Sequence, residues 1–85
     1  MIKMQAFVQI ALDPNHDNKV VDRLRDLNEV KEVSVVFGEW DLLAKLEVAN
    51  PEELGTFILN NVRRMQGVRL TSTMIVARAD GKETQ

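Results

Sequence analysis

Two stretches of this chain alternate in hydrophobicity with a period of two, and each is followed by apolar residues at helical spacing and a further β-rich run. Few folds accommodate that order twice over. From Met4 to Leu12, the residues Met4, Ala6, Val8, Ile10 and Leu12 fall on one side of an extended strand, with Gln5, Phe7, Gln9 and Ala11 on the other. From Trp40 to Val48 the pattern repeats, with Trp40, Leu42, Ala44, Leu46 and Val48 opposite Asp41, Leu43, Lys45 and Glu47. Side chains of a strand point alternately to its two faces, so a period of two marks a half-buried strand.

The segments between them are equally legible. Asp13-Pro14-Asn15-His16-Asp17-Asn18 breaks the first strand with turn formers and helix caps. Val20, Val21, Leu24 and Leu27 then recur at helical spacing among charged residues and predict an amphipathic helix of about three turns. Val30 to Phe37 is rich in β-branched residues and ends at Gly38, so it reads as a strand joined to Trp40–Val48 by a short hairpin. The second helix carries the clearest boundary signals. Asn50 is its N-cap, Pro51 occupies the first helical position, Glu53 completes a capping-box-like pair, Arg63 and Arg64 complement the C-terminal dipole, and Gly67 supplies the stop. Leu54, Phe57, Ile58, Val62 and Met65 form its apolar stripe, and Val68 to Ala77 is a last strand.

The order β-α-β-β-α-β is that of the split βαβ, ferredoxin-like fold, an α+β architecture. Right-handed crossovers place both helices on one face of a four-stranded antiparallel sheet. The halves echo each other at a shift of 35 positions, Val20, Leu24, Leu27, Val30 and Val33 recurring as Gly55, Leu59, Val62, Met65 and Val68. By parity, Met4, Ala6, Val8, Ile10, Leu42, Ala44 and Leu46 meet the helices. The uncovered face is expected to carry Phe7, Leu43, Ile75 and Val36 among Gln5, Gln9, Lys45, Glu47, Thr71 and Thr73. A mixed face with several large apolar residues marks an interaction surface, here packing against a second copy.

Composition narrows the functional classes. The 85 residues leave room for one domain, read as residues 1–79 with a polar, frayed tail at 80–85. The chain has no cysteine, so no disulfide supplements a small core. Eleven Lys and Arg against thirteen Asp and Glu, without runs, argue against direct nucleic-acid binding. No apolar stretch approaches a membrane span and no secretory signal is evident, so a cytoplasmic protein is expected.

Little in the sequence suits catalysis. The single histidine, His16, has no second histidine or cysteine to complete a metal or nucleophile–base set, and Ser34 and Ser72 lack an activating partner. Glycines at 38, 55, 67 and 81 match no phosphate-binding fingerprint. No cofactor, metal site or catalytic residue is expected. The one unusual constellation is Gly38-Glu39-Trp40-Asp41, which places a permissive glycine, two carboxylates and the only tryptophan at a hairpin tip, with hydroxyls on the last strand at Thr71-Ser72-Thr73.

Gly38-Glu39-Trp40-Asp41-Leu42-Leu43-Ala44, followed by Asn50-Pro51-Glu52-Glu53-Leu54 and by Gly67-Val68-x-x-Thr71-x-Thr73, resembles the effector-binding (RAM) domain of Lrp/AsnC transcriptional regulators from about Lys3 to Arg78. The resemblance implies a subunit that pairs through its sheet into a dimeric α/β barrel, with dimers assembling into rings of eight or ten. It implies an amino-acid effector bound between dimers by Gly38, Glu39, Trp40, Asp41, Thr71, Ser72 and Thr73. Loop amides would receive the effector's carboxylate, and Asp or carbonyl oxygens its ammonium group. Two departures stand out: Trp40 replaces the family's usual tyrosine, and the sequence starts at the first strand where full-length members carry a helix-turn-helix. The expectation is a stand-alone, non-enzymatic module of transcriptional regulation, acting by assembly or by joining a full-length Lrp/AsnC regulator. The alternatives are a small dimeric α/β-barrel enzyme of monooxygenase type and a structural oligomer whose ligand site has decayed.

Overall fold

In the computed structural model, which describes residues 3–15 and 19–81, the elements follow the order β1 (Met4–Leu12), α1 (Val20–Arg25), β2 (Val30–Val35), β3 (Leu42–Val48), α2 (Pro51–Phe57), continued by a π-turn (Ile58–Val62), and β4 (Val68–Ile75). The four strands form one antiparallel sheet in the order β2-β3-β1-β4, the ferredoxin-like arrangement. Its core joins Ala6, Val8 and Ile10 of β1 and Leu42, Ala44, Leu46 and Val48 of β3 to Val20 and Leu24 of α1 and Leu54, Phe57, Ile58 and Val62 of α2 and its π-turn. Both helices therefore cover one face of the sheet and leave the other uncovered.

Local chemistry sets the element ends. Asn50 caps α2, its side chain accepting the Glu53 N–H at 2.7 Å, while Glu53 Oε1 accepts the Ala49 N–H at 3.3 Å. The capping pair thus closes one residue further back than the usual box. Gly38 and Gly67 adopt positive φ values of 143° and 98°, which L residues rarely tolerate. Helix α1 has six residues rather than three turns; Leu27 lies beyond it, its N–H donating to the Leu24 carbonyl. Strands β2, β3 and β4 are each about two residues shorter than their apolar runs suggest, so Phe37, Trp40 and Ala77 lie outside the ladder. The turn formers His16 to Asn18 and part of the expected tail lie outside the described residues.

The internal repeat is offset by 38 positions, not 35. Leu24 and Val62 are both buried at equivalent places, whereas Leu59, the partner of Leu24 at a shift of 35, is 56% exposed. The backbone bonds repeat at the same offset: Leu27 N–H to Leu24 O and Val30 N–H to Leu27 O recur as Met65 N–H to Val62 O and Val68 N–H to Met65 O, all at 3.1 Å. Apolar spacing alone fits several shifts, and the burial of one side of each helix selects among them.

Both edge strands carry a β-bulge whose extra residue is cationic. In β4 the pairs Ala11–Leu70 and Leu12–Val68 leave Arg69 unopposed; in β2 the pairs Val30–Leu46 and Glu32–Lys45 leave Lys31 unopposed. Bulges and charges on edges block further strand addition. The register of β4 also corrects the expected faces. Thr71, Thr73 and Ile75 oppose Ile10, Val8 and Ala6 and so lie on the helix-bearing side, while Leu70, Ser72 and Met74 oppose Ala11, Gln9 and Phe7 on the uncovered side. Parity within one strand is readable from sequence, but the relation between strands depends on a register shared across 60 residues.

Candidate functional site

The Gly38–Asp41 hairpin sits where β1, β2 and β3 end together. Asp41 ties these strands: its N–H donates to the Ile10 carbonyl, its carbonyl accepts the Val36 N–H, and its Oδ2 accepts the Leu12 N–H at 2.8 Å. The carboxylate extends the β1–β3 ladder one step past its last backbone pair, Ile10–Leu42. Its use is structural, and Asp41 borders a separate depression of about 290 Å³ with Leu12, Val20 and Val21 rather than the one beside Gly38, Glu39 and Trp40. Among the described residues, the peptide N–H groups of Gly38, Glu39 and Trp40 have no hydrogen-bond partner.

Gly38, Glu39 and Trp40 border an open depression of about 240 Å³ completed by Gln9, Val36, Phe37, Leu42 and Leu43. Gln9 and Leu43 belong to the uncovered face of the sheet, so the depression opens on that side. Trp40 therefore stands outside the helix-facing row of Leu42, Ala44 and Leu46 in which alternation placed it. Phe37, fully exposed, forms part of the rim. Gln9, a polar residue on the uncovered face in the middle of β1, carries no motif that marks it as part of the depression.

The hydroxyl strand divides. Ser72 opposes Gln9, which on its other side opposes Leu43, so Ser72 shares the uncovered face with the depression but is separated from the hairpin by the full width of β1, roughly 10 Å. Thr71 and Thr73 lie on the opposite face. A single chain therefore does not gather Gly38–Asp41 and Thr71–Thr73 around one point. Among the described residues there is no group of three or more His, Cys, Asp or Glu that could hold a metal, and no helix is long and apolar enough to cross a membrane.

Comparison with known proteins gives this geometry a family. The model of the Lrp/AsnC ligand binding domain matches residues 5–83. An uncharacterized HTH-type transcriptional regulator of Pyrococcus furiosus is 38% identical over 73 residues, covering 82% of this chain and 49% of the regulator. The chain spans about half the length of the curated relatives of this kind that it matches. A homocitrate synthase of Saccharolobus islandicus is 33% identical over 75 residues, 87% of this chain but 16% of the enzyme. Among solved structures, FFRP-DM1 superposes with a TM-score of 0.81 at 36% identity, covering 86% of this chain and 97% of that one. The feast or famine regulatory protein of Mycobacterium tuberculosis, complexed with L-methionine, superposes with a TM-score of 0.83 at 28% identity, covering 96% of this chain and 55% of that one. Matched by the family model over nearly its whole length, and built on the same sheet and helix arrangement, the chain belongs to the Lrp/AsnC family, whose ligand-binding domain it forms.

Proposed function

We propose that this domain is a non-enzymatic sensor that binds an α-amino acid at the hairpin depression and transmits binding through its assembly with other copies. The observation that carries this reading is the hairpin itself: three unengaged peptide N–H groups, an indole and the Glu39 carboxylate at the edge of an open depression. Peptide N–H groups suit the carboxylate of an amino acid, and Glu39 suits its ammonium. The methionine complex of the mycobacterial relative supports the ligand class.

Assembly follows from the uncovered face. Phe7, Leu43, Leu70 and Met74 lie there, with Leu70 and Met74 about half exposed. A second copy packed sheet to sheet would cover them as a dimeric α/β barrel, and dimers would join into a ring of eight or ten subunits. The separation of Ser72, Thr71 and Thr73 from Gly38–Asp41 within one chain fits a site that takes these two pieces from different subunits. In transcriptional control the output would pass to a full-length Lrp/AsnC regulator.

The similarity to a segment of homocitrate synthase favours a second output, in which the same sensor is joined to an enzyme of amino-acid synthesis. Affinity capture of the tagged chain from its host separates the two, according to whether a DNA-binding regulator or a biosynthetic enzyme is recovered.

The sensing role is tested by titrating each of the twenty amino acids while following Trp40 fluorescence, heat and the mass of the assembly. Saturable binding of one or a few amino acids with a change in mass is expected. No binding and an unchanged mass overturn it, and binding gained only in Trp40→Tyr assigns the natural protein to a structural oligomer. Turnover of a quinone-like or haem substrate would establish an enzyme instead.

A further inference from the structure

The end of the α2 π-turn and the start of β4 enclose a shallow cleft of about 250 Å³ lined by Arg63, Val68, Arg69, Leu70 and Thr71. Its counterpart in the first half, between α1 and β2, is lined by Arg25, Val30, Lys31, Glu32 and Val33. The two sets correspond one to one at the 38-position offset of the structural repeat. The comparison shows what each half has done with the same pair of cations.

In the first half the cations are matched. Arg25 Nη1 lies 3.9 Å from Asp22 Oδ1, Lys31 Nζ donates to the Asn28 carbonyl at 3.0 Å, and Glu32 lines the cleft. In the second half the position of Asp22 is taken by Asn60, that of Glu32 by Leu70, and that of Val33 by the half-buried Thr71. Both acids are gone, a hydroxyl has been added, and both cations remain. Neither the Arg63 nor the Arg69 guanidinium has a hydrogen-bond or ion-pair partner among the described residues.

Backbone irregularities fix both arginines. Arg63 closes the π-turn, its N–H donating to the Ile58 carbonyl at 2.8 Å, and Arg69 is the extra residue of the β4 bulge. Complementing the helix dipole accounts for a cation at position 63, but not for Arg69 on the strand. Two arginines and a threonine, whose side chains all donate, line a cleft without an acid in its lining.

We propose that the Arg63–Arg69–Thr71 cleft binds the oxyanion group of a small solute, a carboxylate or a phosphate, at a site distinct from the hairpin depression. It lies at the helix-bearing side of β4, whereas the hairpin opens on the uncovered face, so the proposal does not rest on the sensing role. The guanidinium groups neutralise the anion and the Thr71 hydroxyl donates to it.

Equilibrium dialysis of the intact chain against radiolabelled inorganic phosphate at low ionic strength tests this, because it counts bound anion per chain whatever the assembly. Saturable binding of one phosphate per chain is expected, weakened about tenfold or more in Arg63→Gln and in Arg69→Gln and unchanged in Arg25→Gln and Lys31→Gln. Asn60→Asp, which restores the acid of the first half while leaving the arginines in place, should weaken it in the same way. Unlabelled glutarate that displaces phosphate at a lower concentration than phosphate itself identifies a carboxylate site; the reverse order identifies a phosphoryl site. The proposal is overturned if neither anion binds saturably, if Arg25→Gln weakens binding as much as Arg63→Gln, or if the two second-half arginine variants bind as the natural chain does.

Discussion

The carboxylate of Asp41 accepts the peptide N–H of Leu12 at 2.8 Å, joining the end of the hairpin to the end of β1 across 29 positions of sequence. Backbone pairing between β1 and β3 has stopped at Ile10–Leu42, and a side chain supplies the next rung. Replacing Asp41 by alanine should lower stability by about 1.5–3 kcal/mol, the range for losing a hydrogen bond to a charged acceptor, while asparagine, which keeps a neutral acceptor, should lose roughly half of that. Urea unfolding of the two variants checks the order.

Two glycines make opposite predictions. Gly38 has φ of +143° with open space where a Cβ would stand, so Gly38→Ala meets conformational strain alone and should lose about 1 kcal/mol. Gly55 lies in the exposed part of α2, and a Cβ added there would likewise meet nothing within 4 Å. Gly55→Ala should therefore gain about 0.5–1 kcal/mol through helix propensity. Thermal melts of both variants should shift in opposite directions.

The cap of α2 is equally open to measurement. Asn50→Ala removes the acceptor for the Glu53 N–H and should destabilise by about 1 kcal/mol, with Asn50→Asp or Asn50→Ser close to the natural chain. Equal losses in all three variants would show that the cap bond contributes nothing.

Leu24 is fully buried at the centre of the packed face, and Leu24→Ala should cost about 2–5 kcal/mol by removing its contacts and leaving a cavity. Chemical denaturation would reveal the loss. By contrast, Leu59→Ala, at the position paired with Leu24 under a shift of 35, should change stability by less than about 0.5 kcal/mol because Leu59 is exposed.

Met74 opposes Phe7 on the uncovered face and is 45% exposed. A charge there would be desolvated by sheet-to-sheet packing, so Met74→Glu should reduce the assembly to smaller species in light scattering while leaving the far-ultraviolet circular dichroism intact. An unchanged mass would remove this face from the interface.

Most of the fold was legible because its signals are local. Alternation in Met4–Leu12, the Asn50-Pro51-x-Glu53 cap and the glycine at position 67 each act within a few residues, and each predicted its element. Of the seven residues proposed for the ligand, Thr71 and Thr73 stand on the helix-bearing face rather than on the uncovered one that parity predicts, and only Ser72 of the last strand shares a face with the depression. Thr71 and Thr73 alternate with Ser72 as any strand must, but nothing nearby in sequence says which of them stands beside Gln9. Of the depression's further residues, Phe37 directly precedes the hairpin, whereas Gln9 comes from β1 and carries no local mark of its use.

Sequence by itself determined the kinds of elements, their order and the apolar stripe of each helix, since propensity, capping and periodicity are short-range effects. Tertiary structure decided the 38-position repeat, the bulges at Lys31 and Arg69, the face on which each β4 side chain stands and the structural use of the Asp41 carboxylate. These depend on register and burial between segments far apart in the chain, where the free energy of packing two surfaces together outweighs the preference of any one residue.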